Sequence, residues 1–298
     1  MYHSHLMINV GNDPDHADWS LSRRWLRNLY RVHQRLCMAF PSSCASVHGR
    51  AGVAPCRTLD GDHHLNSEKV TAQMQGEDVH QQRGHNKGFL FRIDYPVSRH
   101  QGGRKPVIVV QSNGSHAPRW DDAFGLSENV TDQKGRLLGN AAFLLAAPPQ
   151  CQEIALELDG DDLIMAYPKR HYRFRTGDVI RFRIRANPTK KVKDGGSNGK
   201  RVRVNPTFED HLKWLSCKLE EAAEPNICIE TFVPGWSYGW RTKHETDTGA
   251  HMRMVWWSVL FEGAFRLRDP RALKRLIESG IGSGKAFGFG LLSVRPFE

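Results

Sequence analysis

The sequence predicts an α+β protein built from two tandem units, each running strand, helix, strand, strand, helix, strand. Three observations predict it. Apolar residues recur at helical spacing in "WLRNLYRVHQRLCMAF", "FEDHLKWLSCKLEE" and "DPRALKRLIESG"; short runs rich in strand formers lie between them; and the second half of the chain repeats the order of the first. A β-α-β-β-α-β order is that of a ferredoxin-like (RRM-like) domain, so two such domains are expected side by side, residues 1–150 and 151–298. A chain of 298 residues is long enough for each to bury its own core.

In the first half, Leu6 to Val10 is a strand candidate. An amphipathic helix follows, with Trp25, Leu26, Leu29, Val32, Leu36, Ala39 and Phe40 on its apolar side and Pro41 to end it. "GFLFRIDY" (Gly88 to Tyr95) and "PVIVVQS" (Pro106 to Ser112) read as the next two strands, with room for a short helix before a last strand at Ala141 to Ala147. In the second half, Asp178 to Ala186 is a strand, Phe208 to Glu221 a helix, Ile227 to Val233 a strand, and "MRMVWWSVLFEGAFRL" a long one. Asp269 then caps a helix with Pro270 in its first turn and Gly280 as its stop, and "AFGFGLLSV" closes the unit as a strand.

Between that last helix and strand lies "GIGSGKAFGFGLLSV", Gly280 to Val294, where Gly-Ser-Gly-Lys suggests a nucleotide phosphate loop. The spacing excludes it. A P-loop needs a glycine where Ser279 stands and Ser or Thr where Ala286 follows the lysine, and it joins a strand to a helix, not a helix to a strand. No G-x-G-x-x-G is present either, and a glycine-rich turn remains.

Composition narrows the partner. With 39% hydrophobic and 25% charged residues the chain reads as soluble and globular, and no apolar run approaches the ~20 residues of a membrane span. The start, "MYHSHLMINVGNDPD", lacks the features of a signal peptide, so the expected address is cytoplasmic and no membrane partner is expected. Six scattered cysteines without C-x-x-C pairs then read as reduced thiols. The net charge of +10 favours a polyanion, and most of it sits in one place: Arg181 to Arg203 holds nine basic residues against one acid, Asp194. Arg181, Arg183 and Arg185 alternate along a strand, and Lys190, Lys191, Lys193, Lys200, Arg201 and Arg203 line a loop with Pro188 and three glycines. A basic run is often only a solvated face, but a basic strand face beside a basic loop is also what tracking a phosphate backbone requires. Ser42 to Lys87 fits neither unit. It is polar and rich in histidine, yet its His and Cys spacing matches no zinc ligand pair, so it reads as a surface insertion and no metal is expected.

One histidine lies in an informative place. At about 100° per residue the apolar stripe of the first helix centres near Leu36, with His33 at its edge and Tyr30 just beyond, one turn back. Such a histidine is otherwise a half-buried side chain satisfied by a carbonyl. RNA cleavage, however, needs neither metal nor protein nucleophile, because the ribose 2′-hydroxyl attacks; it needs a proton-transfer group with a pKa near neutrality, which histidine supplies.

These residues carry a resemblance. "GIGSGKAFGFGLLSV" resembles the C-terminal glycine-rich loop of the repeat-processing RNases of CRISPR systems. "NLYRVHQRLCMAFP", "RFRIRANPTKK", "HLKWLSCKL" and "VLFEGAFRLRDPRALKRLIESGIGSGKAFGFGLLSV" are similar, in this order, to motifs of the CasE family, the CRISPR-associated endoribonucleases of type I-E Cascade. They touch both domains and about half the chain. The resemblance implies tandem RRM-like domains that bind the hairpin of the CRISPR repeat and cut precursor CRISPR RNA at its 3′ base without metal or other cofactor. It implies a 2′,3′-cyclic phosphate product, and a protein that stays with the crRNA and other Cascade subunits. His33 matches the catalytic histidine of the family's Tyr-x-x-His motif and Tyr30 its tyrosine; His33 would be base to the 2′-hydroxyl or acid to the leaving oxygen. Arg185, Asn187, Lys190, Lys191, Lys193, Lys200, Arg201 and Arg203 would hold the RNA, together with Gly282, Gly284, Lys285, Phe287, Gly288 and Gly290 of the loop. Bare glycines would let backbone N–H groups approach the sugar-phosphate chain, and Phe287 or Phe289 could stack on a base or pack in the core. Some members place a lysine where this chain has Met38, so Arg31, Arg35 or Lys285 would have to offset phosphorane charge. A hairpin-binding subunit that does not cut is the alternative.

Overall fold

The computed structural model describes residues 1–10, 17–40, 88–95, 105–113, 117–125, 130–131, 137–138, 141–192, 200–242 and 251–297. The segment Ser42 to Lys87 and Lys193 lie outside the described residues.

The first sheet takes its strands in the order β2-β3-β1-β4, all antiparallel: β1 (Tyr2–Met7), β2 (Phe89–Asp94), β3 (Val107–Ser112) and β4 (Gln150–Glu153). The second repeats that arrangement as β11-β12-β8-β13, from β8 (Val179–Ala186), β11 (Cys228–Thr242), β12 (His251–Arg266) and β13 (Leu292–Pro296). In each, the third strand is inserted beside the first, the order of a ferredoxin-like fold. The fourth strand of the first sheet, Gln150–Glu153, spans residue 150 and pairs back to Tyr2–His5.

Helices cover one face of each sheet. In the first domain α1 (Ala17–Arg27) and α2 (Leu29–Cys37) bury Leu26, Val32 and Leu36 against Leu6, Phe89, Phe91, Ile108 and Val110, and the short α3 (Trp120–Phe124) closes the edge. In the second, Thr207 caps α4 (Phe208–Leu219) and Asp269 caps α5 (Pro270–Ser279), each side chain accepting a first-turn N–H. Trp214, Leu215, Leu273 and Ile277 of these helices meet Phe182, Ile184, Val259 and Phe261.

The remaining faces of the two sheets meet each other. Leu90 and Val109 pack on Leu291, and a polar layer surrounds them. Arg92, 3% exposed, grips Asp94 with two bonds of 2.7 and 3.0 Å and donates to the Arg183 carbonyl, the Leu291 carbonyl and Ser293 Oγ at 3.0–3.2 Å. Gln111 Nε2 and Asn113 Nδ2 each donate at 2.7 Å to carbonyls at the end of α5. With both faces covered, β2 and β3 are buried nearly throughout.

Several expected elements differ. The long first helix is broken at Asn28 into α1 and α2. The first strand runs over Tyr2–Met7 and not Leu6 to Val10, because its polar residues His3 and His5 face the interdomain layer and hide the apolar alternation. Ala141 to Ala147 holds a 3-10 turn at Ala141–Leu144, and the strand expected there is Gln150–Glu153, an exposed edge with no apolar signal. The closing strand starts only at Leu292, because Gly288 and Gly290 have φ of 82° and 88°. A three-stranded sheet, β5 (Ala155–Asp159), β6 (Asp162–Tyr167) and β7 (Arg170–Phe174), was not expected; it adds Leu163, Met165 and Phe174 to the second core. No helix among the described residues is long and apolar enough to cross a membrane.

Candidate RNA-cleavage site at the domain junction

His33 lies in the middle of α2, 8% exposed, with its ring stacked on Phe89 (5.8 Å between centroids, 24° between planes) and near Phe91 at 6.4 Å. Its Nε2 is 3.5 Å from Cys37 Sγ, one turn on. The remaining side is taken by Phe287 of the glycine loop, at 5.8 Å. The two stretches singled out in the sequence, one near each end of the chain, therefore meet. Tyr30 is half-buried one turn before His33.

The loop between α5 and β13 holds a 3-10 turn, Lys285–Phe287, flanked by glycines in the left-handed region. Its bare backbone is required by packing within the protein. A Cβ on Gly288 would stand 2.9 Å from the Phe91 ring, and one on Gly290 would stand 2.4 Å from the Ile281 carbonyl oxygen. Phe289 is fully buried in the first domain's core, while Phe287 stays at its margin between His33 and Trp256. Gly282 and Gly284 face Trp214 and Phe289 in the same way. Ser283 ties the loop to the basic segment: its hydroxyl lies 2.9 Å from Thr189 Oγ1 and 3.3 Å from Asn187 Nδ2. Asn187, 8% exposed, is thus a structural tie as well as a candidate contact.

From Thr189 the chain runs into an antiparallel ribbon, β9 (Thr189–Val192) and β10 (Lys200–Arg203). Lys190, Lys191, Lys200, Arg201 and Arg203 are all exposed on it, and cross-strand pairing puts Lys191 beside Arg201 and Val192 beside Lys200, so both faces are basic. The Arg203 guanidinium lies 5.1 Å over the Trp236 ring and 5.6 Å over Trp257.

The arginines of β8 lie elsewhere. Part of the face expected to track phosphate is engaged in ion pairs: Arg183 pairs with Glu262 at 3.1 Å and, across the domain boundary, with Asp94 at 3.5 Å, and Arg181 pairs with Glu230 of its own domain at 3.3 Å. Arg185 is half-buried, and that burial pushes its guanidinium pKa down. Of the groups expected to stand in for a lysine at Met38, Arg35 is 7% exposed and donates to the Ala123 carbonyl at 2.8 Å, and Lys285 Nζ donates to the Ser279 carbonyl at the end of α5. Among the described residues no group of three His, Cys, Asp or Glu is placed to hold a metal ion.

Sequence reasoning missed Asn28, Phe89, Phe91, Ser283 and Trp256, which build this junction. Only Asn28 carried a signal, as a favoured N-cap residue inside an apparently continuous helix.

This chain is similar to known proteins. It is 33% identical over 132 residues to "CRISPR-associated endoribonuclease Cse3" of Thermus thermophilus, and equally to "CRISPR system Cascade subunit CasE" of Escherichia coli K12. Each match covers 42% of this chain and 60% and 62% of those proteins respectively, less than two thirds of either. A solved structure of a CRISPR endoribonuclease Cse3 bound to a 19 nt RNA has the same fold, with a TM-score of 0.51 over 99% of this chain and 100% of that one, at 23% identity. Residues 1–296, nearly the whole length, match the family described as CRISPR associated protein, and the chain belongs to that family.

Proposed function

We propose that the protein is an endoribonuclease that binds the CRISPR repeat hairpin and cuts precursor CRISPR RNA by attack of a ribose 2′-hydroxyl, leaving a 2′,3′-cyclic phosphate. It would then stay on the crRNA beside the other subunits of a type I-E Cascade, in the cytoplasm. The observation that carries this reading is the meeting of His33 with Phe287, in a loop that Ser283 ties to the basic ribbon. A hairpin stem gripped through its phosphates by Lys190, Lys191, Lys200 and Arg201 would deliver its 3′ base to that junction.

In the reaction the 2′-oxygen attacks the adjacent phosphorus as the bond to the 5′-oxygen breaks. One proton leaves the hydroxyl and one reaches the leaving oxygen. His33 performs one of these transfers, worth about 10²–10⁴-fold, or roughly 3–5 kcal/mol of barrier. The rest comes from holding the phosphate in line and from fixed charge. No step calls for a metal, since the RNA supplies its own nucleophile and an imidazole can carry the proton. For the imidazole to reach a ribose, the Phe287 ring must yield, because His33 is 8% exposed beneath it.

That same burial favours the second reading, a subunit that holds the hairpin without cutting. Incubation with a labelled repeat hairpin in EDTA separates the two. Cleavage that disappears when the scissile ribose is 2′-deoxy supports the nuclease, and intact RNA in a tight complex rejects it.

A further inference from the structure

Asn28 is fully buried although it is polar and sits at the break between α1 and α2. Its side chain pairs with one residue of β11 in both directions: Oδ1 accepts from the Trp240 N–H and Nδ2 donates to the Trp240 carbonyl, each at 3.1 Å. Its backbone bridges Tyr238 in parallel. The same Oδ1 lies 3.4 Å from the N–H of Arg31 in the first turn of α2. A primary amide supplies an acceptor and a donor on the pitch of a peptide group, whereas a carboxylate lacks the donor and a hydroxyl cannot span both atoms. The helix that carries Tyr30 and His33 is thus joined, at its N-cap, to the long hairpin of the other domain.

Gly239 completes the contact. A Cβ there would stand 3.3 Å from the backbone nitrogen of Tyr30 and 3.1 Å from the Trp256 ring. Trp256 lies 4.5 Å from Phe287, the ring that covers His33. A closed circuit results, running from the start of α2 through the hairpin to the glycine loop and back to α2. The inward face of α2 packs largely on apolar side chains, which resist separation but not rotation or sliding; the paired amide is directional.

We infer that Asn28 is a positioning residue for RNA cleavage, with the β11–β12 hairpin as the reference against which it sets Tyr30 and His33 relative to the glycine loop. The inference rests on the reading of His33 as the proton-transfer group. A displacement of about 1 Å at such a group can cost on the order of 10²-fold in rate.

The test measures single-turnover cleavage of a labelled repeat hairpin at saturating protein, hairpin affinity, and thermal unfolding. It uses the full-length chain with Asn28→Asp, Asn28→Ser or Gly239→Ala, beside wild type and His33→Ala. Asp and Ser both keep an oxygen for the Arg31 N–H, so the helix cap survives; Asp loses the donation to the Trp240 carbonyl and sets a carboxylate oxygen against it, and Ser cannot span both Trp240 atoms. The expected result is a saturated rate lowered about ten- to hundredfold in all three variants, with hairpin affinity within about twofold of wild type. Wild-type rates in Asn28→Ser and Gly239→Ala overturn the inference. So does a rate loss matched by equal losses of affinity and unfolding temperature, which makes Asn28 a stability residue only. Wild-type cutting by His33→Ala removes the reading beneath it, and is told apart because that variant keeps every Asn28 contact.

Discussion

The imidazole of His33 is held between the Phe89 and Phe287 rings with an edge on Cys37, so neighbours on three elements set its orientation. Replacing it by alanine is expected to lower the cleavage rate by at least about 10²-fold while hairpin affinity stays near wild type, because the basic ribbon proposed to hold phosphate is a separate element. A band-shift assay beside a cleavage time course checks both. Gly290 shows the other demand on single residues. At φ 88°, with the Ile281 carbonyl oxygen where a Cβ would go, Gly290→Ala is expected to cost about 2–4 kcal/mol of stability by urea unfolding. The sequence showed that these glycines matter, and the structure adds a packing reason for them. A bare backbone can admit a phosphate or a neighbouring chain, and composition cannot tell which.

At the level of elements, binding falls, in the proposed function, to the ribbon β9–β10 and alignment to the helix break at Asn28. Lys190→Gln with Lys191→Gln is expected to weaken hairpin binding and to flatten its dependence on log salt by roughly one unit per residue removed. Cleavage at saturating RNA should persist, and a salt titration of affinity is the measurement. The ribbon's charge was legible because its density exceeds that of any neighbouring stretch, but the sequence reads there as a loop and does not reveal the strand pairing. The strand face of Arg181, Arg183 and Arg185 was legible as basic but not as paired, since Asp94, Glu230 and Glu262, its partners, are far away in sequence. The helix break was hidden for a related reason: apolar periodicity passes through Asn28 undisturbed, and Trp240, which draws the amide inward, lies 212 positions later.

At the level of the whole molecule, the two sheets are joined by a polar layer whose charges are matched. Arg92→Met leaves Asp94 in that layer without its bidentate partner and is expected to cost about 3–5 kcal/mol, read from denaturant midpoints. His3, at the same boundary, donates from Nε2 to Gln111 Oε1 at 3.1 Å, and burial brings its pKa down from 6.5 to about 4. The unfolded chain therefore takes up that proton first as pH falls. The contribution of neutral His3 is complete above pH 6.5 and is lost progressively toward pH 4, up to roughly 2–3 kcal/mol. Burial lowers His5 and His211 as well, so their sign is the same. Unfolding midpoints measured at intervals between pH 7 and 4 should decline, and His3→Gln should shrink the decline.

The doubled strand-helix-strand-strand-helix-strand unit, the basic stretch after Arg181 and the place of Tyr30 and His33 on one helix were determined by the sequence alone, because periodicity, charge density and caps are local properties of the chain. Tertiary structure alone decided that residue 33 meets residue 287, that Arg183 of β8 reaches Asp94 across the domain boundary, and that Asn28 joins the first helix break to the far hairpin. Each of those facts depends on which distant groups share a low-dielectric space, and no local pattern encodes the identity of a partner two hundred residues away.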